Sequence, residues 1–399
     1  MDILVLSQYC YPWDISKNDR FTELAKMLSE VHDVEIVTSD FDHGGKEHIE
    51  TPQGEFPYKI TLLHETGYPQ NVCLQRFYSD YVFGKSVKQY LKQRKRPDVI
   101  YCAVPSLVAP YEASKYCSKH GVRFIIDVQD LWPEAFEIVF NIPVLSKVAF
   151  TPFRYLANKI YAAADEIVAV SDTYANRALW VNRKCKQGYS VYLGTRLEKF
   201  DALRNGIIPY QKPENECWIG YVGTLGHSYD LTCVMDVMNI LCNQKGIKNI
   251  RFIVMGRGPL QERFQRYAEQ LNIPVIFTGM LPYEQMVPML CACDIAVNPI
   301  THGAAQSIIN KVGDYAAAGL PVVNTQECPE YRNLVTKYNI GINCDNGDAQ
   351  GLAKAIEQLI VYHELRVEMG KHNRRLAEER FNRAETYPQI VELVDKSSK

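Results

Sequence analysis

The stretch GAAQSIINKVGDYAAAGLPVV, residues 303–323, gathers side chains with a clear chemical use. Small residues deliver Gln306 and Ser307 ahead of an expected helix that carries Lys311 and Asp314 and stops at Gly319. Gln306 and Asp314 are eight positions apart. That is about two turns, so a helix reaching back to 306 would show both on one face. The N–H groups of Ser307, Ile308 and Ile309 suit an anion or a developing negative charge. Lys311 can meet a phosphate, and it reads equally as a solvated helix lysine.

Other candidates stand at strand ends, where open parallel sheets hold their ligands. YVGTLGHSYDL (221–231) ends a strand with Gly223 and Gly226 and places Thr224, His227 and Ser228 before a helix. Glycine allows close backbone approach, so a phosphate cradle and a plain tight turn both fit this segment. MGRGP (255–259), with Arg257, is a fragment of GxGxxG, and FTGMLP (277–282) carries Met280 and Pro282 after a third glycine. Three such ends in succession lead us to expect that the whole edge faces a ligand. DVQDLWPE (127–134) is rich in carboxylates at another strand end. Asp130 is its best functional candidate, ahead of Asp127 and Glu134, against a structural turn packed by Trp132 and Pro133.

The elements that must position these residues alternate short apolar runs with helical patterns, which predicts βαβ units and parallel sheets. The first series runs from DILVLS to YSVYLG, and a polar linker with two prolines, RNGIIPYQKPENE, follows. A second series runs from CWIGYVG to GINC, and helical patterns close the chain. The 399 residues exceed the ~250–300 that one core organises. We expect an α/β protein of two tandem Rossmann-like doubly wound domains, 1–205 and 206–375, with a helical tail at 376–399. Hydrophobic residues at 47% and charged residues at 23% exclude a disordered chain. Lys+Arg 44 against Asp+Glu 46 argues against a nucleic-acid binder. The twelve cysteines show no CxxC or zinc-like spacing and read as reduced and structural. MDILVLSQYCYPWD lacks the marks of a signal peptide, so a cytoplasmic location is expected.

With those segments in order, the chain resembles the retaining glycosyltransferases of family 4. VGTLG, MGRGP, FTGMLPYEQM and AAAGLPVV match that family, and Gln306 and Asp314 stand at the acidic positions of its E-x7-E region. The DLWP form looks closest to members that build O-antigen or capsule repeats. The resemblance implies the GT-B fold, two domains facing a central cleft, with a nucleotide-sugar on the second domain and an acceptor approaching from the first. It implies that Asp314 accepts from ribose hydroxyls, that Gln306 contacts the donor sugar, and that Asp130 orients sugar or acceptor. The Ser307 and Ile308 amides, Lys311 and the Gly223 loop with Thr224 and His227 would surround the diphosphate. Met280 and Pro282 would pass the base, with Arg257 nearby. Family members usually carry an Arg and a Lys in the loop where this chain has Thr224, His227 and Ser228. PWDISKNDRF replaces their glycine-rich loop, and Ser16, Lys17 or Arg20 would serve the acceptor or phosphate side. No metal or other cofactor is expected. Asp40-Phe41-Asp42 is a DxD, here read as a solvated loop.

Between Tyr68 and Arg96 seven basic residues meet one acid, Asp80. Arg76, Lys85, Lys88 and Lys92 alternate with aromatic and apolar residues there. A basic face for the inner membrane leaflet fits the segment, as does a packing helix with a solvated face. Lipid-linked sugar acceptors, implied by the resemblance, favour the membrane reading. Two other readings keep the fold: a nucleotide-sugar 2-epimerase, and a non-catalytic binding or scaffold protein.

Overall fold

The computed structural model describes residues 1–13, 19–50, 53–71, 73–139, 148–304 and 307–396. It comprises two compact units, Met1–Val191 with Tyr387–Lys399, and Tyr192–Thr386. The division therefore falls before the expected boundary at 205, and the second unit runs on to 386 rather than 375. Tyr192, Leu197 and Phe200 pack in a core of the second unit.

In the first unit the strands are β1 (Asp2–Leu6), β2 (Asp33–Ser39), β3 (Phe41–Asp42), β4 (Glu47–His48), β5 (Lys59–Leu63), β6 (Val99–Val104), β7 (Arg123–Val128), β8 (Glu166–Ala169) and β9 (Tyr189–Ser190). Seven of them form one parallel sheet, β5-β2-β1-β6-β7-β8-β9, while β3 and β4 make a small antiparallel pair. The continuous apolar run VIYCAV of β6 is buried throughout, as a strand covered on both faces must be. The helix Arg20–Leu28 is capped by Asp19, which accepts from the Thr22 N–H at 2.9 Å. The closing helix Pro388–Asp395 sets Ile390, Leu393 and Val394 into the same core as Ile3, Val5 and Leu24.

The second unit contains β10 (Cys217–Val222), β11 (Ile250–Met255), β12 (Val275–Gly279), β13 (Ile295–Asn298), β14 (Val322–Asn324) and β15 (Gly341–Asn343). Their order is β12-β11-β10-β13-β14-β15. Side chains alternate between faces. Ile219, Tyr221, Phe252 and Val254 enter one core, while Trp218, Ile253 and Met255 enter the other. Helix Lys311–Ala318 ends at Gly319, whose φ of 72° provides the left-handed cap. In both sheets the chain order reverses beside the first strand, between β1 and β6 and between β10 and β13. Such reversal points open a crevice at the carboxyl ends.

Candidate functional site

At the reversal point of the second unit, β10 runs into Gly223 at φ 141°. A Cβ there would lie 2.7 Å from Lys311 Nζ, so only glycine lets the ammonium reach this turn. The ammonium also lies 4.0 Å from the Tyr221 ring centre and 3.7 Å from that of Tyr229. Each ring would contribute about 0.5–2 kcal/mol to the charged form. Lys311 is buried, and its Nζ has no hydrogen-bond partner among the described residues. Burial pushes the Lys311 ammonium well below the ordinary lysine range. Ser307 is buried too, with its Oγ equally unpartnered. A buried lysine amine and a hydroxyl thus stand at one sheet edge with no hydrogen-bond partner among the described residues.

One turn along the helix, Asp314 Oδ1 accepts from Thr195 Oγ1 at 2.9 Å and from the Tyr283 hydroxyl at 3.5 Å. Burial pushes the Asp314 carboxyl up to about 6, and Thr195, Arg383 and Tyr283 hold it from rising further. Tyr283 follows Pro282 directly, so the 279–283 turn is tied to Asp314. Met280 is 73% exposed and Pro282 is exposed beside it. Arg257 is exposed over Gly279, 3.5 Å from a Cβ placed there, with no side-chain hydrogen bond or ion pair among the described residues. Thr224 and His227 are exposed, and the Thr301 hydroxyl donates to the His227 carbonyl at 2.9 Å.

The ends of β13, β14 and β15 carry Asn298, Asn324 and Asn343 in register. Their amides form a ladder: Asn298 donates to Asn324 at 2.8 Å and Asn324 to Asn343 at 2.8 Å. Asn298 also donates to Gln326, which in turn donates to the Ser307 carbonyl. The ladder anchors the segment that delivers Ser307 and Lys311.

The corresponding edge of the first unit is closed by its own side chains. Gln8, just past β1, donates to Glu65 at 2.5 Å and to Asp80 at 3.0 Å and accepts from Ser106. Ser39 and Ser79 donate to Glu65, and the Tyr9 hydroxyl donates to Asp80. Burial raises both acids, Asp80 to about 7. Asp130 accepts from the Leu131 N–H at 2.9 Å, the Trp132 indole at 3.3 Å and the Tyr174 hydroxyl at 3.2 Å. Burial raises Asp130 as well, against those three donors and Arg76.

Two family profiles match this chain. Residues 20–184 match the family described as Glycosyltransferase Family 4, and residues 216–361 match Glycosyl transferases group 1. The chain belongs with the family-4-like glycosyltransferases. A glycosyltransferase without an assigned reaction, MJ1069 of Methanocaldococcus jannaschii, is 24% identical over 240 residues, 59% of this chain and 60% of its own. The lipopolysaccharide core biosynthesis glycosyltransferase LpsE of Rhizobium meliloti is 28% identical over 133 residues, 33% of this chain and 37% of its own. The matched stretches thus span less than two thirds of either curated relative. Among solved structures, HepE of Anabaena in complex with UDP superposes with a TM-score of 0.68, at 16% identity and over 99% of each chain. That likeness places both sheets in the GT-B fold.

The second unit places Gly223, Lys311, Asp314, Ser307, Met280, Pro282 and Arg257 along one sheet edge. Ile308 packs in the core beside Val312, so only its backbone is left for a ligand. Four expectations are corrected. Helix 311–318 begins at Lys311, so no continuous helical face joins position 306 to Asp314. The MGRGP glycines serve backbone packing: a Cβ on Gly256 would stand 1.9 Å from the Gly223 carbonyl and one on Gly258 2.3 Å from that of Leu225. Arg20, expected on the acceptor or phosphate side, is turned inward. It is buried in an ion pair with Asp127, at 2.7 Å from Nε, and donates to the Val191 carbonyl at 2.9 Å. Asp127 also accepts from Tyr101 and Gln129, at 2.6 Å each.

Arg76 is the fourth. It turns inward over the rings of Tyr9, Tyr68 and Trp132, at 5.5, 5.6 and 4.7 Å, instead of lying on a solvated basic face. Lys88 pairs with Glu112 at 3.3 Å, whereas Lys85 and Lys92 are exposed. Ser16, Lys17 and Gln306 lie outside the described residues. The sequence reading passed over Tyr221 and Tyr229, Thr195 and Tyr283, and the asparagine ladder. The ladder did leave a signal, since DIAVNP, PVVNT and GINC each end an apolar run on Asn.

Proposed function

We propose that the chain is a retaining, metal-independent hexosyltransferase that takes a sugar from a nucleotide diphosphate sugar, uridine-linked, at the Gly223–Lys311 edge. The acceptor is a glycan or lipid-linked sugar, and the setting is bacterial surface polysaccharide synthesis on the cytoplasmic side of the membrane. The observation that carries this reading is the buried Lys311 side chain, whose Nζ lies 4.0 Å from the Tyr221 ring centre and 3.7 Å from that of Tyr229 and has no hydrogen-bond partner among the described residues. A diphosphate supplies the charge and acceptors that such a group lacks. UDP in HepE and the lipopolysaccharide role in the name of LpsE support the donor and product class.

In the reaction the bond between the anomeric carbon and the diphosphate oxygen breaks as the acceptor oxygen bonds to the same face of that carbon. The acceptor proton passes to the leaving phosphate oxygen. Lys311, the Gly223 turn and Ser307 stabilise the departing charge, which electrostatic preorganisation does most effectively in a dry site. Asp314 and the Met280–Tyr283 turn hold ribose and base. Gln306 meets the donor sugar, and Asp130 keeps the DLWP turn in place for donor sugar or acceptor. The helix Leu74–Gln93 exposes Leu74, Tyr78, Tyr81, Lys85 and Lys92 at helical spacing. That combination suits an anionic lipid surface carrying the acceptor. No helix among the described residues is long and apolar enough to cross a membrane.

The test is a thermal-shift and turnover panel of uridine, guanosine and other nucleotide sugars, with and without lipid-linked acceptors. A uridine donor should raise the melting temperature of the wild type and not of Lys311→Met. Donor converted in the absence of any acceptor would replace transfer by epimerisation. Absence of both binding and turnover would leave a scaffold.

A further inference from the structure

One set of ligating side chains lies outside the donor edge and has no part in the reaction above. Asp40 follows β2 and His64 follows β5, and these strands are neighbours with Ser39 opposite Leu63. The Asp40 N–H donates to the Leu63 carbonyl at 3.0 Å, which fixes both residues at one level of the sheet's carboxyl edge. The β3–β4 pair then folds back, with Phe41 opposite His48, and the Ile49 N–H donates to the Asp40 carbonyl at 2.7 Å. Three residues from separate places in the chain are thus held together by backbone bonds before any side chain is considered.

Their side chains converge. His64 Nδ1 lies 2.8 Å from Asp40 Oδ2, and His48 Nδ1 lies 3.3 Å from Asp40 Oδ1. One ligand atom from each residue falls within 4.8 Å of the other two. The two imidazoles stack with ring centres 5.4 Å apart, and the His48 ring also meets Phe41 edge-on. The Glu65 N–H donates to Asp40 Oδ1 at 3.1 Å and orients the carboxylate from behind. Asp42, the other acid of the DxD, is turned away to Tyr11 and the Gly44 N–H.

We propose that Asp40, His48 and His64 form a binding site for a divalent transition-metal ion of the zinc class, which ties the β3–β4 hairpin to the sheet edge. Tetrahedral zinc with bonds of about 2.0–2.1 Å places its ligand atoms roughly 3.3 Å apart, so ligand atoms already within 4.8 Å of one another need only a small inward shift of the side chains. Two imidazole nitrogens with one carboxylate suit zinc, cobalt or nickel, whereas magnesium and calcium call for oxygen ligands throughout. Both histidines are partly exposed, which leaves a face for water as the remaining ligand. The site is separate from the transfer chemistry and stabilises the fold, so its loss leaves donor binding intact.

The experiment titrates Zn2+ alone into chelator-treated full-length protein by calorimetry, with Co2+ absorption as a second readout. One ion per chain should bind and raise the melting temperature, and Co2+ should give the intense visible bands of a four-coordinate site. His64→Gln and Asp40→Asn, which keep hydrogen-bonding capacity, should each weaken binding by about tenfold or more. His302→Ala, which alters the exposed His302–Glu327 pair at 2.6 Å elsewhere, should change nothing. Absence of zinc binding, or equal binding to a His48→Gln/His64→Gln protein, overturns the proposal. So does loss of binding in His302→Ala alone.

Discussion

The carboxyl edges of the two sheets share a strand order but differ in how their polar groups are met. In the first, Gln8, Ser39, Ser79 and Ser106 surround the buried acids Glu65 and Asp80, and Arg20 is locked to Asp127. In the second, Lys311 Nζ and Ser307 Oγ are buried with no hydrogen-bond partner among the described residues. A buried polar group left without a partner costs free energy that folding alone does not return. The first edge thus meets its buried acids from within, although Arg76 Nε there also has no partner among the described residues, and the second edge leaves a lysine and a hydroxyl for the charged donor proposed above.

That contrast is most severely tested at Arg20. Arg20→Ala leaves Asp127 as a buried charge with Tyr101 and Gln129 as its remaining side-chain donors among the described residues. Stability should fall by about 3–5 kcal/mol in denaturant titration. Nucleotide-sugar binding by the folded fraction should stay as in the wild type. Weakened donor binding with stability retained would return Arg20 to the phosphate and blur the difference between the edges.

Lys311→Met should behave in the opposite way. Turnover should drop by about 10²–10³-fold, the usual loss when one stabiliser of a developing charge is removed. The melting temperature should hold or rise, because an apolar side chain of similar length replaces an unmet buried cation. A fall in melting temperature with turnover unchanged would make Lys311 a structural residue like Arg20.

Asp80 separates the edges by pH. Its carboxyl is raised to about 7 by burial, so the native state holds that proton more tightly than the unfolded chain. The stability it contributes is full in acid, below its unfolded value, and is lost as pH rises through about 7. Between pH 6 and pH 8 that loss should be about 1 kcal/mol, and Asp80→Asn should remove it. A pH profile unchanged by the substitution would mean that Asp80 is ionised across the range.

The sequence carried the architecture because continuous apolar runs such as VIYCAV and turn residues such as Gly319 act locally. It also carried the position of the proposed donor edge, where Gly223, Lys311 and Asp314 sit at strand and helix ends that local pattern can locate. What it hid depended on distance along the chain. Arg20 finds Asp127 only because β7 lies beside the helix that opens at 20, and the roof over Arg76 comes from Tyr9, Tyr68 and Trp132. The start of the helix at Lys311, where the Asn310 side chain makes no capping bond, was equally silent. The DxD at Asp40 reads as a solvated loop for the same reason: Asp40 meets His48 and His64 through strand register, which spacing does not record.

Asp314 gives the smallest effect and the finest discrimination. Its carboxyl sits at about 6, so it passes from mostly anion to mostly acid as pH falls from 7.5 to 5. The acid form loses acceptor capacity toward ribose hydroxyls, and the KM for donor should rise by about tenfold at one unit below that value. The raised carboxyl makes the fold more stable in that direction, because protonation relieves a buried charge. Loss of donor affinity on acidification is therefore not loss of structure. Asp314→Asn should show a high KM at both pH values and no step near 6. If the step persists in that variant, the titrating group lies elsewhere on the edge, and the ribose contact must be reassigned.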